Sequence, residues 1–212
     1  MIATLGAAAP LSAGQWDAAA LGPVREINEQ VVALLCEAAA GGAGGPLAAL
    51  VRREFLPAAA EARRRLADSP YLLLDAGFAR PERWLAAASV HERPAVMTLA
   101  PPAFDCGVRL ARRTLLLGWH LARCNRLAAR VALGMTAACA ERVAALRLEE
   151  LEAIAETEPG WVRLRWEERV ELWCPLLQAA ALEGRERLVG LQMRGLQLLA
   201  ADSLGAFAQH LG

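Results

Sequence analysis

Lysine is missing from this chain: all 23 basic residues are arginine, and 23 acids bring the formal net charge to +0. Without a positive excess the surface as a whole is excluded as a general polyanion binder. Only a local basic patch stays open to phosphate or carboxylate chemistry. Aromatics are scarce at 5%, with a single tyrosine, against 56% hydrophobic residues, so alanine and leucine carry the apolar content. That composition favours helices and leaves little material for strands, which makes all-α the expected fold class. The five cysteines (Cys36, Cys106, Cys124, Cys139, Cys174) form no CxxC pair. An odd, scattered set excludes a disulfide framework and reads as reduced thiols. His120 and Cys124 are four apart, yet no second pair stands near them, so they read as ordinary core or interface residues and no metal is expected. No charge-free apolar run approaches the ~18 residues that span a bilayer. The first residues lack the basic start of a secretion signal, so a cytoplasmic location is expected. No Ser-His-Asp order, HExxH or lysine-bearing phosphate loop occurs. The GGAGG run at 41–45 lacks the strand–helix context of such a loop, so neither catalysis nor a cofactor is expected.

What is present is helical punctuation. At 212 residues the chain has room for one domain or two small ones. Residues 1–22 read as a loose alanine- and glycine-rich arm, and Pro23 as the start of a helix striped by Ile27, Val31, Leu34 and Leu35. A second helical stretch spans 47–66, kinked or divided by Pro57. Ser69 or Asp68 with Pro70 reads as the start of a helix through YLLLDAGF, and Pro81 as the head of another that carries Trp84. Three prolines (Pro94, Pro101, Pro102) mark residues 91–104 as a linker. The division that follows is an N-terminal helical region, 23–90, and a helical domain, 105–212.

The stretch after the linker is sharply polarised. Eight arginines fall between Arg109 and Arg147 with one acid, Glu141, among them, and the next thirty-five residues reverse the balance. One long helix is expected over residues 105–131, with Leu110, Leu117, Leu121 and Ala128 as its apolar stripe. Arg109, Arg112, Arg113, Arg123, Arg126 and Arg130 lie on another arc. Leu116, Trp119 and Leu127 sit among those arginines, more apolar area than a solvent face needs, and are expected at a dimer interface. Gly134 ends the helix as a left-handed residue, Thr136 caps the next, and a turn at Arg147 leads into LEELEAIAET, whose early carboxylates suit the positive end of a helix dipole. After Pro159 and Gly160, WVRLRW alternates as a short strand or extended arm. Two helices broken near Gly184 complete the chain, with Trp173, Leu176 and Leu177 on the first and Leu188, Leu191, Leu196 and Leu199 on the second.

The succession TLLLGWHLARCNRLAARVALGM, AERVAALRLEELEAIAET and VRLRW resembles the FlhD family, the smaller subunit of a bacterial flagellar transcription regulator. The match runs over residues 114–167, about a quarter of the chain. It is carried by Leu115 to Leu117, Leu121, Leu133 with Gly134, Ala144 to Leu146, Leu148, Ala155 to Thr157, and Arg165. The resemblance implies an intertwined helical homodimer acting in transcription, usually beside a zinc-containing partner subunit, FlhC. Two departures stand out. Val162 occupies the place of the family's bridging cysteine, and nothing matches the family's DNA-associated part beyond Glu167.

Arg123, Arg126, Arg130, Arg142 and Arg147 are the candidate contacts for nucleic acid or an acidic partner. A recognition helix that begins LEELEAIAE would repel phosphate, so the charges favour arginine–carboxylate pairing, within the chain or with another, over groove reading. The expected function is a transcriptional regulator or regulatory subunit of flagellar or secretion gene control that works through assembly. The alternative is a helical adaptor or secretion-associated interaction protein without DNA binding.

Overall fold

The first helix, α1 (Ala13–Ala40), begins ten residues before Pro23 and carries that proline within it. The alanine-rich segment upstream has enough helix propensity to continue through the missing N–H, so residues 13–22 are helix rather than part of a loose arm. Residues 1–12 fall outside the described residues, which in this computed structural model are 13–58, 60–87, 106–182 and 184–209. The buried face of α1 is set by Val24, Ile27, Asn28, Val31, Leu35 and Ala39, at the three- and four-residue spacing of one helical stripe. After α2 (Pro46–Leu50) and a π-helical turn (Val51–Phe55), the break at Pro57 separates α3 (Ala60–Ala67), so Pro57 divides this stretch as expected.

Residues 71–78 correct the sequence reading. They are not a helix but a threaded, irregular segment containing β1 (Leu74–Asp75), with Tyr71, Leu72, Leu73, Leu74, Ala76 and Phe78 all buried. A continuous apolar run has no period to separate buried helix from buried strand. What decides is where its backbone polar groups find partners, since an orphaned buried one is costly. Asn28 of α1 solves part of this: its amide donates to Tyr71 O at 2.9 Å, and its carbonyl accepts from Leu73 N at 2.9 Å. Leu72 N donates to Ala132 O at 2.9 Å, and Phe78 O accepts from Thr136 N at 3.1 Å. The short β2 (Arg163–Leu164) pairs antiparallel with β1, Leu74 opposite Leu164, so WVRLRW contributes a strand.

Beyond α4 (Pro81–Ala87), headed by Pro81 as expected, the single long helix of the sequence reading is two: α5 (Gly107–Cys124) and α6 (Arg126–Leu133). Asn125 makes the break. Its backbone leaves the helical region and its side chain accepts from Ala128 N at 3.0 Å, a helix N-cap inside an apolar periodicity that shows no interruption. Gly134, at φ 67, then stops α6 in the left-handed conformation. Thr136 caps α7 (Ala137–Ala145) by accepting from Cys139 N at 3.2 Å. Arg147 precedes α8 (Leu148–Thr157), where Glu150 reaches back to the Arg147 N–H at 2.7 Å. A 3-10 turn (Pro159–Trp161) leads to β2, and α9 (Val170–Ala181) and α10 (Arg185–Gln209) follow on either side of Gly184.

Among the described residues the fold is all-α, with one two-residue strand pair. A single core joins both regions read from the sequence: Val31, Phe55, Leu72 and Trp84 share it with Leu115, Leu133, Leu151 and Trp173. Helix α1 packs on both α3 and α5, and α3 on α9. The expected linker, 91–104, lies outside the described residues. Three arginines are used on the carbonyl ends of helices, where the dipole and unpaired C=O groups favour a cation. Arg52 donates to Ala39 O at 2.9 Å, Arg65 to Ala180 O at 2.7 and 3.0 Å, and Arg165 to Leu133 O at 3.1 Å. No described helix is long and apolar enough to cross a membrane.

Candidate functional site

The polarised stretch divides into spent and unspent arginines. Arg112 pairs with Glu156 at 2.5 Å and Arg113 with Glu26 at 3.3 Å, so part of the basic run meets acids of its own chain. Arg147, just before α8, pairs with Glu149 and, at 3.5 Å, with Glu150, so its charge meets the carboxylates that open that helix. Arg123, Arg126, Arg130 and Arg142 are exposed and make no ion pair among the described residues. Arg126 and Arg130 are one turn apart on α6, with Leu127 beside them at 58% exposure. Arg123 ends α5, its guanidinium 4.6 Å from the ring centroid of Trp119. That indole donates to Leu146 O at 2.8 Å, tying the helix to the α7–α8 corner. Trp119 and Leu116 are thus part-buried against their own core, and of the three residues expected at a dimer interface Leu127 is the one left open.

This corner offers exposed guanidinium forks and one exposed aliphatic side chain. The arrangement suits carboxylates flanking an apolar anchor, since arginine binds a carboxylate through two parallel N–H···O bonds. His120 and Cys124 lie nearby on the surface of α5, with Sγ and Nδ1 3.8 Å apart. Among the described residues no group of three or more His, Cys, Asp or Glu is placed to hold a metal ion.

A second locus was not visible in the sequence. Arg165 is 7% exposed and donates to Leu72 O, Leu74 O and Leu133 O at 3.0–3.1 Å, with Asp75 Oδ1 at 3.7 Å. Its own N–H and C=O engage Leu73 O and the Trp173 indole. Burial pulls its pKa down, and Asp75 opposes that pull. The next residue, Trp166, has φ 54, a left-handed conformation that costs a bulky side chain ~1–3 kcal/mol. Its ring meets that of Tyr71 edge-on at 5.6 Å. Tyr71 is fully buried, its hydroxyl has no hydrogen-bond partner, and burial pushes its pKa up to about 12. Both rings line a groove between α9 and α10, shared with Leu176, Leu191, Arg194 and Gly195. Gly195 is what lets the phenol in: a Cβ there would stand 2.4 Å from the hydroxyl. A glycine inside a leucine-rich helix was the available signal, because it costs ~1 kcal/mol relative to alanine and implies a close approach.

A third cluster is structural. Trp84 stacks on Phe78 at 5.8 Å and meets Trp161 edge-on at 5.5 Å, while Arg83 lies 4.3 Å over the Trp161 ring and donates to its carbonyl. These contacts fasten α4 to the turn before β2.

No family model, curated protein or solved structure matches this chain.

Proposed function

We propose that this chain is a non-catalytic helical adaptor that acts through protein assembly, with the α5–α6 corner docking an acidic partner. The observation that carries the reading is that Arg123, Arg126 and Arg130 are exposed without an ion pair among the described residues, on a corner that also exposes Leu127. An exposed aliphatic side chain next to free guanidinium groups suits a protein interface, where a desolvated anchor is accompanied by polar contacts. Against a phosphate backbone the same leucine contributes little. The carboxylates that open α8 also oppose nucleic acid on the neighbouring surface.

The second reading, a regulatory subunit of flagellar or secretion gene control, rests on the resemblance of residues 114–167 to FlhD. It carries with it a homodimer and an FlhC-like partner. Against it, Leu115, Leu117, Leu121 and Leu133 of that match are buried by the chain's own elements, the threaded segment among them, while Leu148 is left exposed. Little apolar surface is left there for an intertwined dimer, which favours assembly with a different protein.

Duplex DNA binding separates the two. The adaptor reading expects only weak, sequence-indifferent association, with a log–log salt slope of about −3 or shallower for three arginines. A promoter-specific complex that persists at physiological salt, alone or with a zinc-containing subunit, would sink it in favour of the regulator.

A further inference from the structure

We infer that the outer face of α10 pairs with the same face of a second copy of this chain, the two helices antiparallel about a two-fold axis level with Arg194 and Gly195. This is not the intertwined pairing that the FlhD resemblance implies, since α10 lies outside residues 114–167. It is also independent of the α5–α6 corner.

Helix α10 carries two apolar stripes. Leu188, Gln192, Gly195 and Leu199 form the inward one, and all four are buried. Val189, Met193, Leu196, Ala200 and Leu204 form the other, at intervals of four, three, four and four residues. Leu196 is half-buried at its edge and Ala200 is exposed, while Val189, Met193 and Leu204 are 50%, 51% and 70% exposed. Between Leu188 and Ala201 the helix has one charge, Arg194. A solvent face carries polar residues, so an outward stripe of this kind is covered by protein. Gly190 points the same way. A glycine inside a helix is destabilising unless something approaches closely, and a Cβ there would meet nothing of this chain within 4 Å.

A second copy is selected because the stripe complements itself. Antiparallel packing at this spacing sets Met193 against the partner's Leu196, Val189 against the partner's Ala200, and Gln197 over the partner's Gly190. Each contact occurs twice, as an isologous interface requires, and large side chains meet small ones. Glu186 and the partner's Ser203 meet at either end and form a polar rim. Charge then selects antiparallel over parallel. Arg185 stands beside the stripe in the first turn of α10, where a cation opposes the helix dipole, and makes no ion pair among the described residues. The antiparallel pair sets it along the C-terminal turns of the partner's α10, which favour a cation. A parallel pair would set two such arginines side by side.

The test is sedimentation equilibrium of the full chain. The expected species has twice the 22.7 kDa of one chain and is half-formed at about 10 µM, since so short a seam belongs with the weaker interfaces. Met193→Glu puts an unpaired carboxylate in mid-seam and should weaken the dimer at least about a hundredfold, with circular dichroism unchanged because the position is exposed. Val189→Lys and Ala200→Glu, also at exposed positions, should each be monomeric alone. Mixed, they should dimerise again, because the lysine of one chain then meets the glutamate of the other. Only the antiparallel register gives that rescue. A native chain still monomeric at about 200 µM overturns the inference and leaves the face to a different protein. A dimer indifferent to Met193→Glu, or a mixture no more associated than its components, overturns it too. Arg126→Ala with Arg130→Ala should leave the mass unchanged, so failure here is distinct from failure of the adaptor reading.

Discussion

Arg165 and the Arg126–Arg130 pair show the same side chain in opposite settings. Arg165 is enclosed by three backbone carbonyls, with Asp75 near by, and it joins the threaded segment, β2 and the end of α6. Arg126 and Arg130 stand in solvent without an ion pair among the described residues. In the first setting Nε and Nη2 are taken by carbonyls of the same chain, so the guanidinium serves the fold. In the second the fold gains almost nothing from the charge, so what the arginines do must be sought outside the chain. Local density of arginine is a poor guide to function. What separates structural from available cations is whether carbonyls or carboxylates of the same chain already take the guanidinium.

That contrast can be broken by mutation, most severely at the buried end. Arg165→Ala strands three buried carbonyls and Asp75, and is expected to cost about 4 kcal/mol in urea unfolding, or to prevent folding. A loss below about 1 kcal/mol would mean that the threaded segment is held by packing alone. Asn28→Ala removes both the donor and the acceptor that stand in for a neighbouring strand, and should cost about 2–3 kcal/mol by the same assay.

Alkaline titration probes the groove beside Arg165. Tyr71 is the chain's single tyrosine, so phenolate absorbance reports this residue alone. In the folded state it should titrate near 12, against 10 when unfolded. The folded state then holds the proton more tightly between those values. Stability from this group is therefore complete below pH 10 and is lost as pH rises through 12. The loss amounts to roughly 2–3 kcal/mol and should vanish in Tyr71→Phe. Absorbance rising near pH 10 in the folded protein would show that the phenol is solvated. The smallest effect on stability is expected at the exposed corner. Arg126→Ala with Arg130→Ala should leave unfolding within about 0.5 kcal/mol of the parent, as surface changes do. A larger loss would show that these arginines belong to the fold.

Much of the architecture was legible where the chain carries its own punctuation. Gly134, Thr136 and Glu150 mark the α6–α7–α8 succession by local backbone chemistry, and Pro81 and Gly184 mark their boundaries in the same way. What escaped was decided at long range. Residues 71–78 look like any buried helix until Asn28, more than forty residues away, and Arg165, some ninety residues away, are seen to satisfy their backbone. Asn125 interrupts a helix whose apolar stripe continues through it, so periodicity could not reveal the cap. The candidate arginines were taken together as one group, and spacing could not tell that Arg147 is paired with Glu149 while Arg126 is not. The Tyr71–Trp166 groove depends on a left-handed tryptophan that no residue pattern announces.

On the proposed function, the α5–α6 corner meets a protein. A photo-crosslinking amino acid at position 127, in cells that express the full chain, tests this most directly. The expected result is a discrete protein adduct that disappears when Arg123, Arg126 and Arg130 are changed to alanine, and whose crosslinked peptide is rich in Asp and Glu. Adducts to nucleic acid, or protein adducts indifferent to the three arginines, would contradict it.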